Sequence, residues 1–460
     1  MLIKYIWTFH CNTMKCLWMI CTCIGISSAY SLPPLKSHEI DRKIWNVAKP
    51  ATINYIMVPV VGMVDTFWVS KKGSVQELAA VGSADQIFFA FYSVLSFLPI
   101  VLTPKISRLH TKDKKEDICN LASISIYFTV FLSLFGLILT FRPEHVASLF
   151  LDTDSCVYHD AIRYLKYRSI SMPFCLFNSV VFSIMRGMFD YSTALKVNLF
   201  AQVLNMVLDP VFINHCGVIG AAMATVLSDS LCSICYIHML YSKKLFRRHV
   251  VYARRTLSEF IRIGSTIQMR MLLLQSLYVF MNRKIISMDT RGVNMASHII
   301  LSKILNMTSI FYCGLSMTAS SILSSEIIMR RDKKTRNRIL GWTGVVAISQ
   351  TILLTHLLPY VIHVSKDTEV IETTRSLLSI TCLYQCVDGY HTVLEGMLQG
   401  YQNFLMPSII SFITYLPMFS LIHVSFSLHQ IWRYIFIFVF LKCILFYKIL
   451  PNMKDDQMAT

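Results

Sequence analysis

The chain has 460 residues, enough for two or three soluble domains, yet 54% of them are apolar and only 15% charged, where soluble proteins carry about 25% charged residues. A soluble chain of this composition would expose very large apolar patches, so its solvent is the bilayer. The net charge of +17 lies in short clusters between apolar runs, which marks membrane topology; no RNA-recognition motif, zinc-finger spacing or P-loop accompanies it, so nucleic acid is not an expected partner.

Residues 1–31 stand apart. Lys4 and Lys15 precede an apolar stretch over 16–28, followed by Ser27, Ser28, Ala29 and then Pro33-Pro34. This pattern reads as a signal or targeting segment, with a retained signal anchor or an extra helix as the alternative and Met14 as a possible second start. Twelve spans are predicted after it, at 44–69, 83–104, 119–141, 161–185, 192–213, 217–242, 260–285, 293–326, 339–363, 373–399, 404–424 and 429–449. Backbone groups in lipid need internal partners, and no ten-residue alternation points to a barrel, so the fold class is all-α polytopic membrane protein. The domain reading is a first six-helix bundle over 44–242, a basic linker over 243–259 and a second six-helix bundle over 260–450.

The loops after spans 2, 6 and 8 are strongly basic, with five Lys and Arg in 105–115, six in 243–255 and six in 330–338. The opposite loops together hold about five, so both chain ends and the even loops are expected on the cytoplasmic side. Fourteen cysteines are scattered, several inside apolar runs, and Cys232 and Cys235 form one CxxC with no second at zinc spacing. They read as small buried apolar residues.

A charge inside a span is expensive and marks a functional candidate. Asp65 closes span 1 in Val60-Val61-Gly62-Met63-Val64-Asp65-Thr66, with Pro59 six residues earlier. It reads either as a cation or proton site beside a kinked helix or as an aspartate capping a turn at the membrane edge. Asn205 and Asp209 share a helix face in span 5, and Pro210 follows. They read either as a polar site or as a helix end in the interface. Paired carboxylates in low dielectric repel, and such a group takes up and releases a proton; the oxygens of Asp65, Asn205, Asp209 and Thr225 also suit Na⁺. Asp229 is a further first-half candidate. In the second half, Arg270, Lys303, Glu326, Asp388 and Glu395 are intramembrane charges, with Asp388 and Glu395 on one face and Asn282 at the end of span 7; Glu395, before Gly396, reads equally as a helix end, and Arg270 and Lys303 read either as counter-ions or as snorkelling side chains. The histidines show no metalloenzyme spacing, and no nucleophile and base pair is evident, so an enzyme is not expected.

The halves repeat. Asp65-Thr66 and Leu78-Ala79-Ala80 correspond to Asn282 and Met295-Ala296-Ser297 at an offset of about 217, and Met185 to Asp190 corresponds to Gln399 to Asn403 at about 213. Parallel repeats of this kind place a substrate site between halves near mid-membrane.

The run Pro59 to Thr66, Leu78-Ala79-Ala80-Val81-Gly82, Thr103-Pro104, Arg186-Gly187 with Asp190, Asn205 to Pro210 and Gly217 to Thr225 together resemble the multidrug and toxic compound extrusion (MATE) family. Arg270, Gly292-Val293 and Met295 to Ile299 resemble its DNA-damage-inducible protein F-like branch. The resemblance implies a V-shaped pair of six-helix bundles that exports organic cations or other amphipathic compounds in exchange for H⁺ or Na⁺, without a cofactor. It implies coupling roles for Asp65, Asn205, Asp209 and Thr225 and leaves Asn282, Asp388, Glu395 and Arg270 as a second-half site. The sequence departs from the family at Ser70-Lys71, Ile299 and Gln399-Gly400. The expected partners are an amphipathic small-molecule substrate and the bilayer of a plasma, vacuolar or plastid membrane, and the protein is expected to act as a monomer. A flippase for lipid-linked precursors is the alternative; it would need a cationic cavity, for which Arg270, Arg283, Lys284 and Lys303 are available.

Overall fold

A computed structural model describes residues 39–450, apart from 149, 152–156, 248, 252, 290 and 362–366. The segment 1–31 lies outside the described residues. The described chain is helical: α1 Glu39–Lys72, α2 Val75–Leu95, α3 Leu98–Thr111, α4 Lys115–Gly136, α5 Ile138–Phe141, α6 Pro143–Ala147, α7 Tyr158–Arg168, α8 Met172–Gly187, α9 Tyr191–Cys216, α10 Ile219–Ser242, α11 Ala253–Ser287, α12 Val293–Glu326, α13 Asp332–Val361, α14 Thr368–Ser376, α15 Leu378–Gly400, α16 Leu405–His423 and α17 Leu428–Ile449. Taken as stretches, α2 with α3, α4 with α5, α7 with α8 and α14 with α15 each make one pass, and the five-residue α6 lies between passes, which gives the twelve expected among the described residues.

Among the described residues ten of these stretches are long and apolar enough to cross a membrane unaided. The two that fall short are α11 and α15, which carry Arg270 and the Asp388–Glu395 face. Their charges are satisfied inside the protein, as the site geometry below shows, so hydropathy alone undervalues them.

Sequence signals set the helix starts. Ser74 and Glu77 form a capping box at α2, and Asp190, Asp367 and Ser427 accept backbone N–H groups at α9, α14 and α17. The ends share a device that the sequence does not advertise. α3, α8, α10, α12 and α15 all close in a left-handed residue other than glycine: Asp113, Phe189, Lys244, Arg330 and Gln402, at φ between 51° and 62°. The next residue's N–H then reaches back five positions, as Asp190 to the Met185 carbonyl and Asn403 to the Leu398 carbonyl, both at 3.0 Å. Asp113 and Arg330 are 217 residues apart, Phe189 and Gln402 213 apart, the offsets of the sequence repeat. The repeat is therefore structural.

The chain forms two compact units: Ile53–Gln268, and the residues from Met269 on together with those up to Thr52. The dividing points fall inside α1 and α11. In the first unit Val69, Ala84, Phe88, Tyr164, Leu165 and Met172 belong to one buried apolar cluster; in the second, Leu277, Leu301, Leu378, Met418 and Trp432 belong to another. α12 and α15 pack without room for larger side chains: a Cβ at Gly396 would stand 2.3 Å from the Ser316 carbonyl oxygen, and one at Gly389 2.4 Å from the Tyr312 ring. Small residues at such contacts are how helices associate in lipid. Val130, Phe131, Leu134 and Phe135 are exposed along α4 and suit lipid contact.

Candidate functional site

In the first unit α1, α9 and α10 meet along a polar seam. α1 stays helical through Pro59 and runs seven residues past Asp65. Asn205 Nδ2 on α9 donates to Asp65 Oδ1 at 3.2 Å, and Ser228 Oγ on α10 donates to Asn205 Oδ1 at 3.2 Å. The turn after α1 is capped by Ser74, so Asp65 engages a neighbouring helix and does not close a turn. Asp209, one turn beyond Asn205, is fully buried, and among the described residues neither of its oxygens has a hydrogen-bond donor. Its carboxyl lies beside that of Asp65, close enough for a hydrogen bond when one of the two holds a proton. Two turns away Asn198 Nδ2 donates to Asn54 Oδ1 at 2.8 Å and Tyr236 donates to Asn198 Oδ1 at 2.6 Å.

Thr225 is placed differently from the expectation. Its hydroxyl donates to the Ala221 carbonyl of its own helix at 3.0 Å, and Ser228, three residues on, makes the bond to Asn205. Asp229 accepts from the Cys175 thiol at 3.0 Å. Two residues that sequence reasoning missed complete the group: Asp85 on α2 and Arg168 at the end of α7, 3.5 Å apart. Arg168 is largely buried, its guanidinium stacks 4.1 Å from the Phe88 ring centroid, and Asp65, Asp85 and Asp229 all lie within its electrostatic reach. Asp85 was legible as a lone charge in an apolar run, whereas Arg168 sits among Lys166 and Arg163 and looks like a loop cation.

The second unit has its own charged group. Arg270 on α11 pairs with Glu395 on α15 at 2.7 Å, and Gln399 donates to Glu395 at 3.4 Å. Asp388 accepts from Ser309 at 3.4 Å and Tyr384 at 3.5 Å, with His391 Nδ1 3.9 Å away. Lys442 on α17, only 2% exposed, donates to the Tyr415 hydroxyl at 2.8 Å. The structure therefore brings Arg270, Asp388 and Glu395 together and adds Lys442, whose signal was a single charge inside 434–447. Asn282 joins none of these bonds. Lys303 is exposed, and Glu326 pairs with Lys43. Two cations face two carboxylates here, whereas in the first unit three carboxylates gather near one guanidinium and Asp209 lies beside one of them. Among the described residues no group of three or more His, Cys, Asp or Glu has metal-holding geometry.

The family model described as MatE matches residues 50–211 and 267–423. Protein DETOXIFICATION 44, chloroplastic, of Arabidopsis thaliana is 25% identical over 436 residues, which cover 88% of this chain and 81% of that one. The probable multidrug resistance protein NorM of Thermotoga maritima is 23% identical over 398 residues, covering 83% and 85%. Among solved structures, a MOP superfamily transporter from Pyrococcus furiosus superposes with a TM-score of 0.80 at 20% identity, covering 92% of this chain and 98% of that one. A MATE crystal structure in the bent conformation gives 0.82 at 19% identity and the same coverage.

Proposed function

The chain belongs to the MatE family, and from that premise we propose that it is a cation-coupled antiporter that exports amphipathic organic cations by alternating access. As a member it is a multi-pass membrane transporter and not an enzyme. The curated relatives it matches include multidrug resistance proteins, and the finer points, coupling ion and substrate class, are ours.

One observation carries the reading: Asp209 is fully buried, without a hydrogen-bond donor, beside a second carboxylate. Two adjacent anions out of water are costly unless a cation joins them. A proton on either carboxyl supplies the missing hydrogen bond, and a Na⁺ would be held by Asp65 and Asp209 oxygens with the Asn205 carbonyl nearby. Loading removes the repulsion between α1 and α9, and unloading restores it. The ion thus binds two helix arrangements with different affinity, which is the condition for it to shift their equilibrium. The substrate's positive charge favours the unloaded, anionic site, so ion and substrate exclude one another and exchange follows.

The test uses purified protein in liposomes preloaded with a fluorescent organic cation, under a pH gradient and then a Na⁺ gradient. Dye movement with one gradient, abolished in Asp65→Asn and in Asp209→Asn, is the expected outcome and names the ion. Dye movement that survives both substitutions removes the coupling role. No movement with either gradient in folded protein turns attention to lipid-linked substrates.

A further inference from the structure

The first unit has a pocket of about 90 Å³ where α2 begins, α7 passes and α9 turns into α10. Its lining includes Glu77, Asp160, Arg163, Tyr164, Cys216 and Gly217. Gly217 sits at φ +62 and ψ −150, a conformation open to glycine alone, and this tight turn brings α9 and α10 together at the pocket wall. The pocket lies at the end of the unit away from the basic loops 105–115 and 243–255. Two carboxylates face one guanidinium in it, a net negative lining. Asp160 is held by Gln76 Nε2 at 3.1 Å, and Glu77 by the Ser74 N–H at 2.7 Å.

Tyr164 connects this pocket to the acid pair. It is 5% exposed, lines the pocket, and lies within electrostatic reach of Asp85, Arg168, Asp65 and Asp209. Behind it Asp85 and Arg168 sit 3.5 Å apart, looser than a hydrogen bond, and Asp85 Oδ1 is buried without a hydrogen-bond partner. Tyr164 thus stands between the pocket and the acid pair: it lines the pocket with Glu77 and Asp160 and, from the buried cluster that also holds Ala80 and Val81, lies within reach of Asp85, Asp65 and Asp209, inside one unit.

We propose that this pocket is the vestibule through which a monovalent cation, a hydrated proton or an alkali-metal ion, reaches the Asp65–Asp209 pair, with Glu77 and Asp160 concentrating it. The proposal rests on the coupling reading above. Negatively lined clefts raise the local concentration of cations and thereby the rate at which they are captured. Arg168 keeps Asp85 paired until a cation arrives, so it and Asp85 are positioning residues on the path.

The experiment compares wild type with Glu77→Gln, Asp160→Asn and the double variant in liposomes. Both substitutions keep an oxygen that accepts the Ser74 N–H or the Gln76 amide, so the local fold is retained while the charge is lost. The expected result is a rise of roughly threefold to tenfold in the cation concentration for half-maximal exchange, with maximal rate and dye affinity unchanged, and convergence with wild type at high ionic strength. An unchanged half-maximal concentration overturns the proposal. Cys216, an exposed free thiol in the lining, supplies a second arm that needs no transport. A cationic methanethiosulfonate is expected to modify it faster than an anionic one of equal size, with Cys216→Ala as the blank and the preference lost in the double variant. If wild type moves no dye, the coupling reading fails, and the thiol arm alone decides: a preference that depends on Glu77 and Asp160 retains a cation-binding pocket, and equal rates overturn it.

Discussion

Arg270 and Glu395 meet at 2.7 Å with side chains 8% and 20% exposed, a charge pair closed inside the second unit. Removing one partner of such a pair strands the other in low dielectric, at a cost of about 3–5 kcal/mol, whereas replacing both with apolar residues is far milder. Arg270→Met is therefore expected to lower the melting temperature in detergent sharply, and Arg270→Met with Glu395→Leu to recover most of the loss. Equal melting of Arg270→Met and wild type would mean that Glu395 is neutral in the folded protein. The residues of both sites were partly legible for one reason, that an ion inside an apolar run has no cheap explanation. That argument finds Asp65, Asp209, Asp388 and Glu395. It does not find Ser228, because a serine in a helix is common and only the approach of α10 to α9 gives its hydroxyl an acceptor on Asn205. Thr225 and Ser228 lie three residues apart on one helix, and which of them turns to Asn205 is decided by helix rotation, which no sequence period resolves. The net charges of the two sites also follow only from assembly. Arg168 and Lys442 come from helices remote in sequence from the carboxylates they face.

At the level of the element, five helices end in a left-handed residue that carries a side chain, and this conformation costs roughly 1–2 kcal/mol for a residue other than glycine. The cost is offset by the two backbone bonds that close each end; at α3 the Asp113 N–H reaches the His110 carbonyl at 3.1 Å and the Lys114 N–H reaches the Leu109 carbonyl at 3.0 Å. Glycine at these positions removes the steric cost but loses more freedom on folding. Gln402→Gly, which changes no charge, is expected to stabilise by up to about 1 kcal/mol, read as a small rise in melting temperature. A fall would show that the Gln402 side chain makes a contact worth more than the strain it bears. None of the five ends has glycine at the left-handed position, where it usually signals such a stop, so their geometry was not readable from sequence. In its place Lys, Arg and Asp mark the turns after α3, α8, α10 and α12 through charge, which is why those loop positions were legible and their geometry was not.

For the whole molecule, the order and number of passes were legible because each pass must be a run of apolar residues, and the repeat was legible because two offsets linked three pairs of segments in the same order. The limits of hydropathy show at α11 and α15. Arg270 and Glu395 partner each other and Asp388 is held by Ser309 and Tyr384, so a window average counts all three as costs when the folded protein has already cancelled most of them. Topology is the property of the whole chain that charge predicts most directly. Between Asp113 and Cys216 lie three passes: α4 with α5, α7 with α8, and α9. An odd number puts the two positions on opposite sides of the membrane. The loop holding Asp113 is basic and is expected on the cytoplasmic side. In intact cells or right-side-out vesicles, a membrane-impermeant thiol reagent is expected to label Cys216 and to leave an Asp113→Cys thiol untouched until the membrane is opened. Labelling of both from one side would remove a pass from the first half and with it the pairing of repeats. Labelling of Asp113→Cys alone would keep the fold and invert it. The Glu77–Asp160 pocket would then face the cytoplasm, the ion would be captured there, and the direction of substrate movement argued above would reverse while the chemistry at Asp65 and Asp209 stayed the same.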